Sequence, residues 1–134
     1  MLPSMIGADE LSAAVKVLRD HDSVRAAYLL GSAAAGCLRP DSDIDVAILP
    51  QLGSPVPIEE RLALTAALGR IFRRDVDIGF LSTSNLVYAK EAITTGRLLF
   101  DREPLQTAEF AMHALSMYAA LQDERREVLH VYAA

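Results

Sequence analysis

Cysteine and long hydrophobic runs are nearly or wholly missing from this sequence. Cys37 stands alone among 134 residues, so no disulfide bond can form within the chain. No stretch approaches the roughly 18 consecutive apolar residues of a membrane-spanning helix, and the N-terminal MLPSMIGADE lacks the basic and apolar regions of a secretory signal. These absences predict a cytoplasmic protein without membrane contact.

Positive charge is also scarce. The chain has 13 Lys and Arg residues against 18 Asp and Glu residues, which gives a net charge of −5. Non-specific binding of nucleic acid depends on neutralising phosphates, so this balance argues against direct contact with nucleic acid. Hydrophobic residues, by contrast, make up 51% of the chain. A chain of this length and composition predicts one folded domain over residues 1–134.

The order of apolar and polar residues predicts a small mixed sheet flanked by helices, an α/β (α+β) domain. The predicted helices cover about residues 8–21, 58–73, 84–95 and 104–128, and the predicted strands about 24–30, 43–49, 75–81 and 97–100. We expect Asp9 and Ser84 to cap the first and third helices. Residues 31–42 are rich in glycine and small residues, which predicts a loop with at most one helical turn.

Acidic residues stand where strands normally exclude them. Asp43 and Asp45 are two residues apart on one predicted strand, so their side chains leave the same face with Cα atoms roughly 7 Å apart. Asp75 and Asp77 repeat this spacing on the next strand, and periodicity alone does not choose between them. Clustered carboxylates repel one another unless a cation neutralises them or one of them is protonated, and oxygen ligands favour Mg²⁺ or Mn²⁺.

A glycine and a serine follow the first predicted strand. At such a turn, the backbone of Gly31 and the hydroxyl of Ser32 can approach phosphate oxygens closely. Alone, this pair is usually only a turn, and Asp-x-Asp is usually a solvated strand end. A phosphate-binding turn followed ten residues later by two carboxylates, however, suits a metal-bound nucleoside triphosphate.

The combined pattern GSAAAGCLRPDSDID resembles the minimal nucleotidyltransferase family of the DNA polymerase β-like superfamily. The motif positions matched are Gly31, Ser32, Gly36, Ser42, Asp43 and Asp45. The later segment VDIGFL resembles the family's third acidic strand and favours Asp77 over Asp75. The resemblance covers roughly residues 9–103 and leaves a C-terminal helix, residues 104–130, outside it.

This resemblance implies a nucleotidyltransferase palm, a small mixed sheet flanked by helices. It implies transfer of AMP from ATP to a hydroxyl, with two Mg²⁺ ions held by Asp43, Asp45 and Asp77. The nucleotide-binding positions that it implies are Gly31, Ser32, Gly36 and Ser42.

The small size of the chain leaves no room for a separate acceptor-binding domain, so a second protein is expected to close the site. Here the chain resembles MntA-like antitoxins, which pair with HEPN-domain (HepT-like) toxins and adenylylate a tyrosine of the toxin. Three alternatives stay open. The acceptor could be a small molecule, as in aminoglycoside-modifying relatives; the chain could inhibit its partner by binding alone; and a homodimer could form through the C-terminal helix.

One position departs from the family pattern. Many relatives have Arg or Lys just before the second glycine, where this chain has Ala35. A basic side chain there would help to neutralise the triphosphate. The residues that could substitute for it are Arg39, Arg73, Arg74 and Lys90.

Overall fold

Five helices and four strands make up the part of the chain that our computed structural model describes, residues 6–36 and 42–133. In chain order they are α1 (Ala8–Arg19), β1 (Val24–Leu29), α2 (Gly31–Ala35), β2 (Ile44–Pro50), α3 (Ile58–Phe72), β3 (Val76–Phe80), α4 (Leu86–Thr95), β4 (Arg97–Asp101) and α5 (Pro104–Ala133). Cys37 and Arg39, named above, lie outside the described residues. None of the described helices is both long and apolar enough to cross a membrane.

The four strands form one mixed sheet in the order β3-β2-β1-β4. β1 runs antiparallel to both of its neighbours, and β2 runs parallel to β3. A parallel pair needs a crossover connection, which α3 supplies between β2 and β3. The predicted mixed sheet flanked by helices is confirmed.

The two faces of the sheet carry different side chains, because residues alternate along each strand. Ile44, Val46 and Ile48 of β2 are fully buried beneath α1 and α3 in the larger cluster. The opposite face carries Ala47 and Leu49, which belong to a smaller cluster that reaches α4 and α5. Asp45 alternates onto this second face, so it stands at the edge of the smaller cluster.

A β-bulge interrupts β1 near its start. Val24 pairs with Pro50, and Ala26 pairs with Leu49, so Arg25 is an extra residue with no partner of its own on β2. A bulge turns the extra side chain away from the alternation of the strand. The Arg25 side chain is buried, with the residue only 5% exposed.

Two predicted helix caps are wrong. α1 begins at Ala8 after an N-cap at Gly7, so Asp9 lies inside the first turn. There its negative charge interacts favourably with the positive end of the helix dipole. The N-cap of α4 is Asn85, whose side chain accepts a hydrogen bond from the Tyr88 amide at 3.3 Å. The preceding Ser84 instead donates its own amide to the Ser82 hydroxyl.

Other boundaries differ from the prediction by a few residues. The single helical turn allowed after β1 is the five-residue α2, which ends at Gly36 in the left-handed conformation with φ 73°. α1 stops at Arg19, before the predicted His21. α5 extends to Ala133, beyond the predicted end near residue 128.

Candidate active site

Three carboxylates meet at one end of the sheet. Asp45 of β2 is the register partner of Asp77 of β3. Adjacent strands are about 4.8 Å apart, and partners in a parallel pair project from the same face. Asp43 stands two residues before Asp45, just ahead of the strand, and all three residues are exposed. The sheet thus brings together three acidic residues, of which the first and the last are 34 positions apart in the sequence.

The charges of this cluster act on one another. Desolvation, followed by the negative charges of Asp77 and Asp43, raises the pKa of Asp45 above its ordinary value of 3.8. Like charges that are held close together disfavour the ionised form, and a bound cation removes that penalty. The cluster therefore has the electrostatic character of a cation site.

The donor set fits a divalent cation that keeps part of its water shell. Within residues 6–36 and 42–133, no group of three His, Cys, Asp or Glu side chains forms a ready-made metal cage. Mg²⁺ is rarely held by such a cage. It is usually bound through one or two carboxylates together with water and substrate phosphates. Exposed carboxylate oxygens such as those of Asp43, Asp45 and Asp77 are ligands of this kind.

The turn after β1 packs directly against the carboxylate cluster. Gly31 has a positive φ of 58°, and a Cβ atom built on it would stand 3.8 Å from Oδ2 of Asp45. The Leu30 amide donates a hydrogen bond to the Asp45 carbonyl at 3.0 Å, which ties the turn to β2. Ser32 follows, half-buried, as the second residue of α2. Glycine at this point both permits the left-handed backbone and leaves the approach to Asp45 uncovered.

Gly36 and Ser42 have different relations to the cluster. Gly36 lies at the far end of α2, where its left-handed backbone ends the helix. Ser42 directly precedes Asp43, and its carbonyl accepts a hydrogen bond from Nη1 of Arg74 at 3.1 Å. The structure therefore brings Gly31 and Ser42 next to the carboxylates, while Ser32 follows Gly31 in α2 and Gly36 ends that helix.

Asp75 and Asp77 differ in their surroundings. Asp77 lies within β3 opposite Asp45, and its charge contributes to the raised pKa of Asp45. Asp75 precedes β3, and its carbonyl accepts the amide of Ile44 at 2.9 Å while its side chain is exposed. This geometry supports Asp77 in the choice that periodicity left open.

Tyr88 of α4 is a site residue that the sequence analysis did not identify. Gly79 lies two residues after Asp77 on the same face, and a Cβ atom there would overlap the Tyr88 hydroxyl and stand 2.8 Å from its Cζ atom. Desolvation, followed by the charges of Asp45 and Asp77, raises the pKa of Tyr88. The signal available was Gly79 itself, because glycine inside a strand often marks a close approach by another group.

The described basic residues that could supply the positive charge missing at Ala35 have different surroundings. Arg74 reaches the segment that carries Asp43 through its hydrogen bond to Ser42. Arg73 is the exposed C-cap of α3. Lys90 stands over the ring of Tyr118 with 5.6 Å between its Nζ atom and the ring centroid, so it is directed toward α5. Arg74 is thus the described candidate that is hydrogen-bonded to the segment carrying Asp43.

Comparison with known proteins relates this arrangement to a family. Residues 13–105 match the polymerase beta nucleotidyltransferase family. The chain is 32% identical over 117 residues to the protein adenylyltransferase MntA of Shewanella oneidensis, and the match covers 86% of this chain and 81% of that protein.

Solved structures give a consistent result. A crystal structure of a toxin–antitoxin with AMP-PNP contains a chain that superposes with a TM-score of 0.74 at 29% identity, covering 92% of this chain and 98% of that one. The complex of a tri-AMPylated Shewanella oneidensis HEPN toxin with its MNT antitoxin gives a TM-score of 0.68 at 27% identity, covering 93% and 97%. The paired strands that carry Asp45 and Asp77, together with these matches over most of the chain, establish that this protein belongs to the polymerase beta nucleotidyltransferase family.

Proposed function

We propose that this protein is an antitoxin that transfers AMP from ATP to a hydroxyl group of a HEPN-type toxin. The observation that carries the proposal is the packing of the Gly31 turn against Asp45, with Asp77 beside it. This geometry supports the proposal because a turn suited to binding phosphate lies next to a carboxylate cluster. The relatives support the acceptor class, because one is a protein adenylyltransferase and another is complexed with an AMPylated HEPN toxin.

The triphosphate of ATP is held at the turn that follows β1. We infer that the Gly31 backbone and the Ser32 hydroxyl contact the β- and γ-phosphates, and the absence of a side chain at residue 31, which leaves the approach open, supports this. Ser42 positions Asp43, and Gly36 ends α2 in the left-handed conformation. Arg74 adds positive charge on the side of Ser42.

Asp43, Asp45 and Asp77 would hold Mg²⁺, two ions by analogy with the family. When bound, Mg²⁺ neutralises the triphosphate and lowers the pKa of the attacking hydroxyl. The fit rests on the oxygen donor set and on the mutual repulsion expressed in the raised pKa of Asp45. Because ATP is an intracellular substrate, we place the reaction in the cytoplasm.

The transfer exchanges one phosphorus–oxygen bond for another. The acceptor hydroxyl, which we infer belongs to a tyrosine, attacks the α-phosphorus of ATP, and the bond to the bridging oxygen of pyrophosphate breaks. The hydroxyl proton passes to a carboxylate, a role that we assign to Asp77 because it is an exposed residue of the edge strand β3. Tyr88 stays protonated and serves as a positioning residue that offers a hydrogen-bond donor beside Asp45 and Asp77.

The test uses ATP labelled at the α-phosphate, with a HEPN toxin from the same genome and an aminoglycoside as separate acceptors. Label on the toxin, lost with Asp43→Asn and lost on chelation, supports the proposal. Label on the aminoglycoside alone would assign the chain to small-molecule transfer. Inhibition of the toxin without any label would assign it to inhibition by binding.

A further inference from the structure

A pocket opens on the sheet face that carries the carboxylates, at the opposite end of that face. It has a volume of about 840 Å³ and lies between the ends of β2 and β3 and the start of α5. Leu49 forms part of its wall, four residues beyond Asp45 on the same strand, which corresponds to about 13 Å along the sheet. We call it the Arg25 pocket, after the one basic side chain that lines it besides His113.

The bulge in β1 directs Arg25 toward this pocket. Arg25 is 5% exposed, and its Nε atom donates to Oε1 of Gln51 at 3.4 Å. The Gln51 amide in turn donates to Oε1 of Glu103 at 3.3 Å, so the glutamine is already engaged on both sides. Nη2 of Arg25 is buried and has no hydrogen-bond partner among the described residues.

Within residues 6–36 and 42–133, Arg25 also forms no ion pair, and Glu103 reaches it only through Gln51. The ion pairs that the described residues form are Arg102 with Asp22 and Arg126 with Asp123. A buried cation that lacks both an ion pair and a full set of acceptors is destabilising, and an apolar residue of similar length would fit the same space better. The fold therefore does not account for Arg25, whereas an anionic ligand in the adjoining pocket would.

The rest of the lining restricts the ligand to one kind of anion. Leu49, Leu81 and Phe110 give the pocket apolar walls, and Glu109 contributes a negative charge. A phosphate dianion would bring a second negative charge close to Glu109, and Arg25 is the one permanently charged cation among the described lining residues. A carboxylate carries a single charge, and its two oxygens match the fork of a guanidinium group.

We propose that the Arg25 pocket binds a carboxylate carried on an apolar group. The carboxylate can belong to a free apolar acid or to a polypeptide, such as a C-terminus that follows a large apolar residue. Both present the same chemistry, an anion for Arg25 and an apolar body for Leu49, Leu81 and Phe110. The site is separate from the carboxylate cluster and does not depend on nucleotidyl transfer.

The experiment measures binding by calorimetry with two matched pairs of probes. The free-acid pair is 4-phenylbutyrate and its amide, and the peptide pair is N-acetyl-Leu-Phe with a free or an amidated C-terminus. We expect each acid that binds to do so at least tenfold more tightly than its amide. Binding of 4-phenylbutyrate indicates a free acid, and binding of the peptide acid alone indicates a polypeptide. Equal binding of acid and amide, or no binding of any probe, overturns the proposal.

Two variants tie the binding to this pocket. Arg25→Met removes the charge at similar length, and we expect it to weaken acid binding at least tenfold without lowering the melting temperature of the free protein. Arg126→Met, at an exposed position of α5, is the matched control and leaves binding unchanged. If Arg25→Met lowers the melting temperature strongly, Arg25 has a structural role, and Ser82→Asp decides the matter instead. Ser82 is an exposed residue of the pocket wall, and retained acid binding in that variant contradicts the assignment.

Discussion

At the scale of single residues, Asp45 contacts the turn after β1 and is affected by the charges of the other carboxylates of the site. Its carbonyl accepts the Leu30 amide, its carboxylate faces Gly31, and its register partner is Asp77. A carboxylate in these surroundings favours the protonated form, so the free protein is less stable when Asp45 is ionised. Asp45 therefore serves the chemistry of the site, and its ionised form lowers the stability of the free protein.

Asp45→Asn is therefore expected to separate activity from stability. Nucleotidyl transfer falls by about 100-fold or more, because a metal ligand is lost. The raised pKa means that the contribution of Asp45 to stability is present below 3.8 and is lost as the pH rises through the folded-state pKa. The melting temperature of the variant relative to wild type thus increases between about pH 3 and about pH 7. Calorimetric melts across this pH range measure that difference in melting temperature, with Asp20→Asn as an exposed control. An Asp45→Asn variant that melts well below wild type at neutral pH would show that Asp45 is structural.

The assignment of the third carboxylate is tested by a matched pair. Asp77→Ala is expected to reduce transfer by about 100-fold or more, as loss of a general base or ligand does. Asp75→Ala should stay within a few-fold of wild type, because Asp75 lies outside β3 and its backbone contact to Ile44 is retained. Initial rates on one acceptor compare the two variants. An inactive Asp75→Ala beside an active Asp77→Ala would move the site to Asp75.

At the scale of elements, the contact between β3 and α4 joins the site to the smaller cluster. Tyr88 covers Gly79, and its ring fills the space that a side chain at residue 79 would occupy. The hydroxyl of Tyr88 is thereby placed near Asp45 and Asp77. A glycine on the strand thus fixes the position of a tyrosine on the helix.

Gly79→Ala should accordingly destabilise the protein by about 1–3 kcal/mol, because the new methyl group and the Tyr88 ring cannot occupy the same space. The double variant Gly79→Ala with Tyr88→Ala should recover part of this loss, which a double-mutant cycle of denaturant melts would measure. Tyr88→Phe keeps the packing and removes only the donor, so it should lower kcat several-fold with little change in melting temperature. If Gly79→Ala and Tyr88→Ala are strictly additive, the two residues are not in contact.

The helices and strands could be predicted where a pattern of residues within one segment determines them. The alternation in β2 predicts that Asp43 and Asp45 share a face, and the resemblance favours Asp77. Strand pairing is not local, so the parallel register that sets Asp77 beside Asp45 could only come from the structure. The same holds for Arg25, which lies inside a run predicted to be a regular buried strand. The bulge that redirects its side chain arises from pairing with β2 rather than from any pattern within β1.

At the scale of the whole molecule, α5 extends beyond the body that the other elements form. Its 30 residues span about 45 Å, and only the first half contributes buried residues, Thr107 and Ala114. Thr107 also donates to Asp101 at 2.7 Å, which fastens the start of the helix to β4. Every described residue from Asp123 onward is exposed.

Removal of residues 123–134 should therefore shift the melting temperature by only a few degrees, because no buried apolar surface is lost. Removal of residues 104–134 should lower the melting temperature far more, since the loss of Phe110 uncovers the smaller cluster and the buried Ala114 is lost as well. Thermal melts of the two truncated chains provide the comparison. A large loss of stability in the shorter truncation would mean that the end of α5 packs on the domain.

The exposure of all three carboxylates has a consequence for the chemistry when no acceptor is present. An open site admits water, and water is itself a nucleophile that can attack the α-phosphorus in place of a hydroxyl group. The protein alone should therefore release AMP and pyrophosphate slowly from ATP, and a bound acceptor protein should suppress this leak by displacing the solvent. The fraction by which AMP release falls would measure how completely the bound acceptor excludes water from the site.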